Sequence, residues 1–234
     1  MKKLISLTAL LSILVVADNE IYIDQSGDTA NIDLEQLGSS NIMGGLDAVA
    51  GSMTALDLDG DNLTLILNQI GDYNKFLADI WADTLTGTFN FDGDSNEFTV
   101  QIDPTNTYGA DGSDINVDVT GSSNDFTLDI ATNDLASALD LDWVINGDSN
   151  VFEFEIDIDS FTNFVDVDGD SNTITYDGDG YAEGYFYLDQ TGNSRTFNIQ
   201  QQSTLASDWL KIISSGNNGT ICVIQNDGGT AIGC

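Results

Sequence analysis

The sequence predicts an all-β protein, a β-solenoid of about nine strand–turn–strand rungs with a period of 22–28 residues. Three observations predict it. A Gly-x-x-Asn turn recurs along the chain, apolar residues alternate with polar ones on both sides of each turn, and 23 glycines accompany a single proline. Glycine supplies positive φ at turns, and proline breaks the hydrogen bonds between strands, so its scarcity suits a chain of many paired strands.

The Gly-x-x-Asn turn is the main repeat. It occurs complete at Gly38–Asn41, Gly71–Asn74, Gly93–Asn96, Gly121–Asn124, Gly147–Asn150 and Gly169–Asn172, with degraded copies at Gly192–Arg195 and Gly216–Gly219. From Gly71 onward the steps are 22, 28, 26, 22, 23 and 24 residues, which is typical of a repeat architecture. Gly27 lies 44 residues before Gly71, Gly60 lies 22 after Gly38, and the two series are offset by 11. The offset suggests two turns per repeat, on opposite edges.

Apolar residues alternate with polar ones on either side of the turn, as in Phe98, Val100 and Ile102. Strict period two indicates short strands with one buried face, which successive repeats bury by stacking. We therefore expect Phe98, Phe126 and Phe152 to lie in one column. A β-sandwich or Greek-key domain also alternates but does not require a fixed turn in every repeat. Extra length in the longer steps falls within 104–113, 132–140 and 201–208, which predicts loops at one edge.

The domain organisation is predicted to be a signal peptide, residues 1–17, followed by one solenoid domain, residues 18–234. Lys2 and Lys3 precede an apolar stretch, Leu4–Val16, that ends in small residues before Asp18. A retained membrane anchor is the alternative, although this stretch is shorter than a membrane-spanning helix requires. We expect an extracellular protein, at the cell surface or in a fibre.

The charge is strongly negative. The formal net charge is −34, and removal of two lysines with residues 1–17 makes it −36, leaving Lys75, Arg195 and Lys211 as the bases. Such a chain is not expected to bind nucleic acid, because few groups neutralise phosphates. Whole-chain disorder is disfavoured, since 41% hydrophobic residues suffice for a core. Histidine is absent and no carboxylate pair stands out from the repeat, so the sequence does not predict an enzyme.

Acidic residues are concentrated at the turns and suggest calcium as a ligand. The candidate metal ligands are Asp92, Asp94, Asp148, Asp166, Asp168 and Asp170. Carboxylates one rung apart repel by about 1 kcal/mol in water, and calcium bound by oxygen atoms relieves such repulsion. Residues 166–172 lack the terminal Glu and the helices of an EF-hand. The sequence requires no cofactor, and a calcium site and a solvated acidic face both remain open.

Two further residue groups call for an interpretation. Cys222 and Cys234, the only cysteines, are predicted to form a disulfide that stabilises the C-terminus by roughly 3 kcal/mol. The aromatic residues form either a sugar-stacking strip or cover for the core and edges. These are Trp81, Trp143, Trp209, Tyr185 and Tyr187.

Some turns carry a longer pattern, Gln-x-Gly-x-x-Asn. Residues 36–41 and 69–74 fit it fully, and residues 190–195 depart only at Arg195. With a period near 22, this pattern resembles the curlin repeat, the unit of curli fibres in bacterial biofilms. The resemblance implies an exported subunit that adopts a β-solenoid and polymerises end to end into an amyloid-like fibre. The chain departs from curlins where Phe91, Val119, Ile145 and Val167 replace the inward glutamine and predict an apolar core.

Inward glutamines near both ends support growth from end to end. Gln25, Gln36 and Gln69 lie in the first rungs, and Gln190 and Gln225 lie in the last. A solenoid ends in open strand edges, and amide ladders join such edges in cross-β assemblies. The sequence thus predicts a structural filament subunit for matrix or adhesion, whose partners are copies of itself, with polysaccharide or a cell surface as further candidates. The alternative is a monomeric calcium-dependent adhesin or carbohydrate-binding module.

Overall fold

The computed structural model describes residues 20–46, 53–102, 110–131, 136–180, 184–203 and 209–227. These residues form strands and turns and include no helix that could span a membrane. The predicted signal peptide lies outside them. The strands are β1 (Glu20–Ile21), β2 (Asp24–Ser26), β3 (Thr29–Leu37), β4 (Ile42–Met43), β5 (Gly45–Leu46), β6 (Met53–Thr54), β7 (Leu56–Ile70), β8 (Lys75–Asp92), β9 (Glu97–Ile102), β10 (Asp114–Thr120), β11 (Asp125–Ile130), β12 (Ala136–Ser137), β13 (Asp140–Asn146), β14 (Val151–Asp159), β15 (Thr162–Asp168), β16 (Thr173–Gly180), β17 (Tyr185–Thr191), β18 (Thr196–Ser203), β19 (Trp209–Ser215) and β20 (Thr220–Asp227).

The strands form a parallel β-solenoid with two ladders that face each other. The before-turn ladder holds the strands that lead into each Gly-x-x-Asn turn, namely β3, the second half of β7 and of β8, β10, β13, β15, β17 and β19. The after-turn ladder holds β1, β2, β4, the first half of β7 and of β8, β9, β11, β14, β16, β18 and β20. After each strand the chain passes through the opposite ladder before it forms the parallel partner of that strand in the next coil. The facing ladder thus supplies the crossover that parallel pairing requires.

The all-β solenoid prediction is confirmed, with a small difference in the count. Seven complete coils separate the turn at Gly38 from the turn at Gly216, and partial coils extend beyond both. The structure pairs the early glycines with different neighbours from those that the spacing predicted. Gly27 lies beside Gly60 and Gly38 beside Gly71, because the amide N–H of Gly27 donates to the Asp59 carbonyl and that of Gly38 to the Ile70 carbonyl. The step from Gly38 to Gly71 therefore spans 33 residues, in a long second coil.

The core is a narrow apolar column between the ladders. As predicted, Phe98, Phe126 and Phe152 lie in register, with ring centroids 5.6 Å and 5.0 Å apart. Phe91 and Trp143, from the facing ladder, lie 5.5 Å and 6.3 Å from the ring of Phe126. Each fully buried phenylalanine stabilises the fold by about 1.5–3 kcal/mol relative to an exposed one. The apolar residues that alternate in the sequence thus form one continuous core.

Three longer connections follow the ends of after-turn strands, at one edge of the stack. The chain between residues 102 and 110 and between 203 and 209 joins an after-turn strand to the next before-turn strand, and that between 131 and 136 joins β11 to β12, which pairs with the end of β14. The extra length of the second coil instead falls between β4 and β7. All three connections overlap the predicted insertions. The opposite edge carries the short Gly-x-x-Asn turns, where successive coils remain in contact throughout.

Candidate functional site in the stacked turns and the open ends

The Gly-x-x-Asn turns stack directly on one another and require glycine at their first position. Gly147 has φ +150°, and a Cβ placed there would lie 1.9 Å from the carbonyl oxygen of Gly121 in the preceding coil. The third turn residue is left-handed without being glycine, with φ of 61° at Ser123 and 60° at Tyr73. Serine occupies this third position in most turns, so the sequence pattern Gly-x-Ser-Asn marks the turn more fully than Gly-x-x-Asn does.

The turn asparagines form a buried ladder of hydrogen bonds between coils. The Oδ1 atom of Asn124 accepts the backbone N–H of Asn96 at 2.8 Å, and Oδ1 of Asn150 accepts that of Asn124 at 2.9 Å. The same bond joins the other predicted asparagines, namely Asn41 to Asn74, Asn74 to Asn96 and Asn150 to Asn172. All of these side chains are buried. Since a buried backbone N–H without an acceptor is costly, the ladder explains why asparagine recurs.

Arg195 occupies the turn position that asparagine holds in the six complete turns. Its side chain is buried, and Nη1 donates to the carbonyl oxygens of Gly192 and of Ser215, the latter at 2.9 Å. The asparagine amide of Asn74 likewise donates to the glycine carbonyl of its own turn, Gly71, at 2.7 Å. The guanidinium of Arg195 therefore replaces the asparagine amide as the donor that closes this turn.

A second ladder runs along the outer side of the turns through the residue after glycine. The N–H of Asp94 donates to Oδ1 of Asp72 at 2.8 Å, and the N–H of Asp170 donates to Oδ1 of Asp148 at 2.6 Å. The N–H of Asn193 donates in turn to Oδ1 of Asp170 at 2.6 Å. The sequence suggested only repulsion between these carboxylates. Each of them instead accepts a charge-assisted hydrogen bond from the next coil, which offsets part of that repulsion.

The carboxylates predicted as calcium ligands point outward but are dispersed. Asp148 and Asp170 lie in adjacent coils, and Asp166 lies on the before-turn ladder. Asp92 and Asp168 share one column, yet two coils, at Thr120 and Asn146, separate them, and Ser122 separates Asp94 from Asp148. Within the described ranges, no three acidic or thiol side chains are placed to hold a metal ion. The calcium site remains a prediction.

Carboxylates also crowd on the outer face of the after-turn ladder. The register places Asp129, Glu155 and Asp177 side by side in consecutive coils. Burial, and then repulsion from Asp129 and Asp177, raises the pKa of Glu155. A glutamine amide donates to the carboxylate at each end of this column, Gln101 to Asp129 at 3.3 Å and Gln200 to Asp177 at 3.0 Å. This column carries a high density of negative charge.

Inward glutamines occupy the first and last coils, and apolar residues replace them between. Gln36, Gln69 and Gln190 are buried at the position two residues before the turn glycine, and Nε2 of Gln69 donates to Oε1 of Gln36 at 3.1 Å. The intervening coils carry the buried side chains of Phe91, Val119, Ile145 and Val167 at this position. The polar ends and the apolar middle are therefore as predicted for these residues.

Both ends of the stack leave apolar core positions uncovered. Ile221 and Val223 of β20 are 45% and 39% exposed, whereas Phe197 and Ile199 are buried at the same positions one coil earlier. At the opposite end, Ile21, Ile23, Ala30 and Ile32 are only partly buried. Within the part of the chain that the structure describes, β3 pairs only with β7, β19 only with β17 and β20 only with β18. Each end thus presents both an open strand edge and apolar surface.

The predicted aromatic strip divides between core and surface. Trp143 is buried, so it belongs to the core, and Trp81 is partly buried on the other ladder. Tyr185 and Trp209 stack on the outer face, with ring centroids 4.5 Å apart and planes 10° apart. The position relative to the turn separates these cases. Trp143 lies an even number of residues before its turn glycine, as inward residues do, and Trp209 lies an odd number before its own.

The structure describes only one of the two cysteines of the predicted disulfide. Cys222 lies on β20, whereas Cys234 lies outside the described residues, so the pairing remains a prediction. No protein-family model, curated protein or solved structure matches this chain.

Proposed function

We propose that the chain is a secreted structural subunit that stacks head to tail into an extracellular, curli-like filament for matrix or adhesion. The observation that carries the proposal is the pair of open ends. An uncovered strand edge with adjacent apolar surface is a template for another chain, and soluble proteins normally block such edges. A second copy of the same subunit supplies a complementary end without any additional component.

The inward residues of the two end strands match when the after-turn ladder is continued from one copy to the next. Following the register through this ladder sets Ile21 of the incoming copy against Ile221 and Gln25 against Gln225. Apolar residue therefore meets apolar residue, and amide meets amide. The before-turn ladder is not continued at this junction, because the first and last described strands, β1 and β20, both belong to the after-turn ladder. The junction would bury Ile221, which the isolated subunit leaves exposed.

The last coil also carries a base. Lys211, one of three bases outside residues 1–17, lies on β19 at this end of the stack. In a chain of net charge −34, a cation placed at the last coil counteracts the general repulsion between copies. The resemblance to the curlin repeat supports the same mode of assembly.

The first test is negative-stain electron microscopy of the mature protein. We expect unbranched filaments about one solenoid wide, with a cross-β spacing near 4.8 Å along the axis. Compact, monodisperse particles at high protein concentration would contradict the proposal.

Charge placement across the junction tests the register itself. Continuing the after-turn ladder sets Glu20 of the incoming copy opposite Thr220. Thr220→Glu should therefore assemble poorly, because every junction then joins like charges. The double variant Thr220→Glu with Glu20→Lys should assemble again, because each junction then joins a glutamate to a lysine. One like-charge pair costs about 1 kcal/mol, which corresponds to roughly a fivefold higher critical concentration. Thr196→Glu is the control, since Thr196 holds the same column one coil inside the stack. If the double variant assembles no better than Thr220→Glu, the register is wrong.

A monomeric calcium-dependent adhesin is the alternative, and the columns of exposed carboxylates favour it. It predicts a melting temperature that rises with millimolar calcium and falls with chelator, because a ligand stabilises the state that binds it. Equal melting temperatures in calcium and in chelator would contradict this alternative.

A further inference from the structure

An exposed aromatic patch lies on the outer face of the before-turn ladder in its last three coils. It consists of Phe164 on β15, Tyr185 and Tyr187 on β17, and Trp209 on β19. The ring of Phe164 lies 5.2 Å from that of Tyr187 and 5.7 Å from that of Tyr185, which stacks on Trp209. Phe164 is 40% and Trp209 48% exposed. Exposed apolar patches of this kind commonly mark binding sites.

The patch is not part of the repeat that builds the fold. Threonine, asparagine and aspartate hold the same outward columns in the three coils before the patch, as the register of Thr86, Asp114 and Asp140 with Thr162 and Tyr185 shows. Polar residues therefore suffice for the fold at these positions. The aromatic rings need an explanation other than the core.

Carboxylates surround a groove beside two of these rings. The groove has a volume of about 470 Å³, and its lining includes Phe164 and Tyr187 together with Asp142, Asp166 and Asp189. Burial, and then the neighbouring Asp189 and Asp168, raises the pKa of Asp166. These oxygens are hydrogen-bond acceptors that a cationic donor would satisfy.

The protein already places one cation against this patch. Nζ of Lys211 lies 4.8 Å from the ring centroid of Tyr187, and the hydroxyl of Tyr187 donates to Oδ2 of Asp189 at 3.3 Å. The aromatic faces are therefore compatible with an ammonium group beside them. Lys211 contacts only one of the four rings in this way, which leaves the face of Phe164 for a ligand.

We propose that this groove binds an amine-bearing glycan chain along the side of the solenoid. Aromatic faces pack against the apolar faces of sugar rings, and the carboxylates accept hydrogen bonds from hydroxyl and ammonium groups. A nucleic acid or a uronate polymer would meet four aspartates, with Asp118 as the fourth, and is excluded by charge. A second copy of this chain would bring its own net charge of −34. This site goes beyond filament formation, because the groove lies on a lateral face and is present in a single subunit.

The test is calorimetric titration of the full chain with short chitosan oligomers. Their N-acetylated counterparts and polygalacturonate oligomers serve as comparators. We expect the chitosan oligomers to bind more tightly than the N-acetylated ones and polygalacturonate not to bind. Phe164→Thr and Tyr187→Thr should each weaken binding about tenfold, since one ring face is lost. Threonine suits the strand, because Thr88 holds the same column in an earlier coil.

Two controls separate ring-dependent binding from adsorption to negative charge. Tyr73→Ser removes an exposed ring at a turn, where serine stands in most repeats, and should leave binding unchanged. Asp166→Asn keeps every ring and should weaken chitosan binding about threefold, which tests the site even if a ring variant fails to fold. The assignment is overturned if chitosan does not bind, if the threonine variants bind it as well as the original chain, or if the N-acetylated or polyuronate chains bind more tightly.

Discussion

Replacement of Asn124 by alanine tests whether the buried asparagine ladder holds the coils together. Oδ1 of Asn124 accepts the backbone N–H of Asn96 at 2.8 Å, and both side chains are buried. The N–H of Asn124 retains its own acceptor, Oδ1 of Asn150. Asn124→Ala therefore removes one acceptor and leaves one buried N–H unpaired.

The expected loss follows from that single unpaired group. A buried donor without an acceptor costs about 1–3 kcal/mol, so the free energy of unfolding should fall by about 2 kcal/mol. Equilibrium urea denaturation at pH 7, followed by far-ultraviolet circular dichroism, measures this change. Asn198→Ala is the matched control, because Asn198 is exposed on β18 and its loss should cost less than about 0.5 kcal/mol. Equal losses for the two variants would refute the reasoning, because the ladder would then contribute no more than a surface amide.

Three further predictions follow from contacts at other points in the stack. Gly147→Ala should destabilise by several kcal/mol in the same assay, because its Cβ would meet a backbone oxygen 1.9 Å away, while Gly112→Ala, with open space around its Cβ, should cost only about 1 kcal/mol. The melting temperature should rise as the pH falls from 7 towards the unfolded pKa values of Asp166 and Glu155 at constant ionic strength. Burial and like charges raise the folded-state pKa of Asp166 and Glu155, so their stabilising contribution is fully present below the unfolded values near 3.8 and 4.5 and is lost as the pH rises through the folded pKa. A melting temperature that falls over this range would contradict that account. Cys234→Ser should lower the free energy of unfolding by up to about 3 kcal/mol under oxidising conditions and have no effect under reducing ones, as the disulfide prediction requires.

Several features of this protein were readable from the chain alone. Period-two alternation around a fixed turn determines which residues face inward, because successive side chains of a strand point to opposite faces. The column of Phe98, Phe126 and Phe152 followed from that rule, as did the buried glutamines near the ends. The same rule separates Trp143 from Trp209, and it would also have placed Phe164 outward. These properties are local, because each depends only on the distance from the nearest turn.

The pairing between coils was decided only in three dimensions. Equal spacing suggested that Gly27 belonged with Gly71, whereas the hydrogen bonds set Gly27 beside Gly60 and lengthen the second coil. Spacing along a chain does not determine register where a coil varies in length, because the hydrogen bonds and core contacts between neighbours select it. The turn carboxylates, for which the sequence suggested only repulsion, accept hydrogen bonds for the same reason. Oδ1 of Asp148 accepts the backbone N–H of Asp170, which lies in the next coil. The sequence by itself determined the faces of the strands, and the stacking of one coil on the next determined which side chains meet.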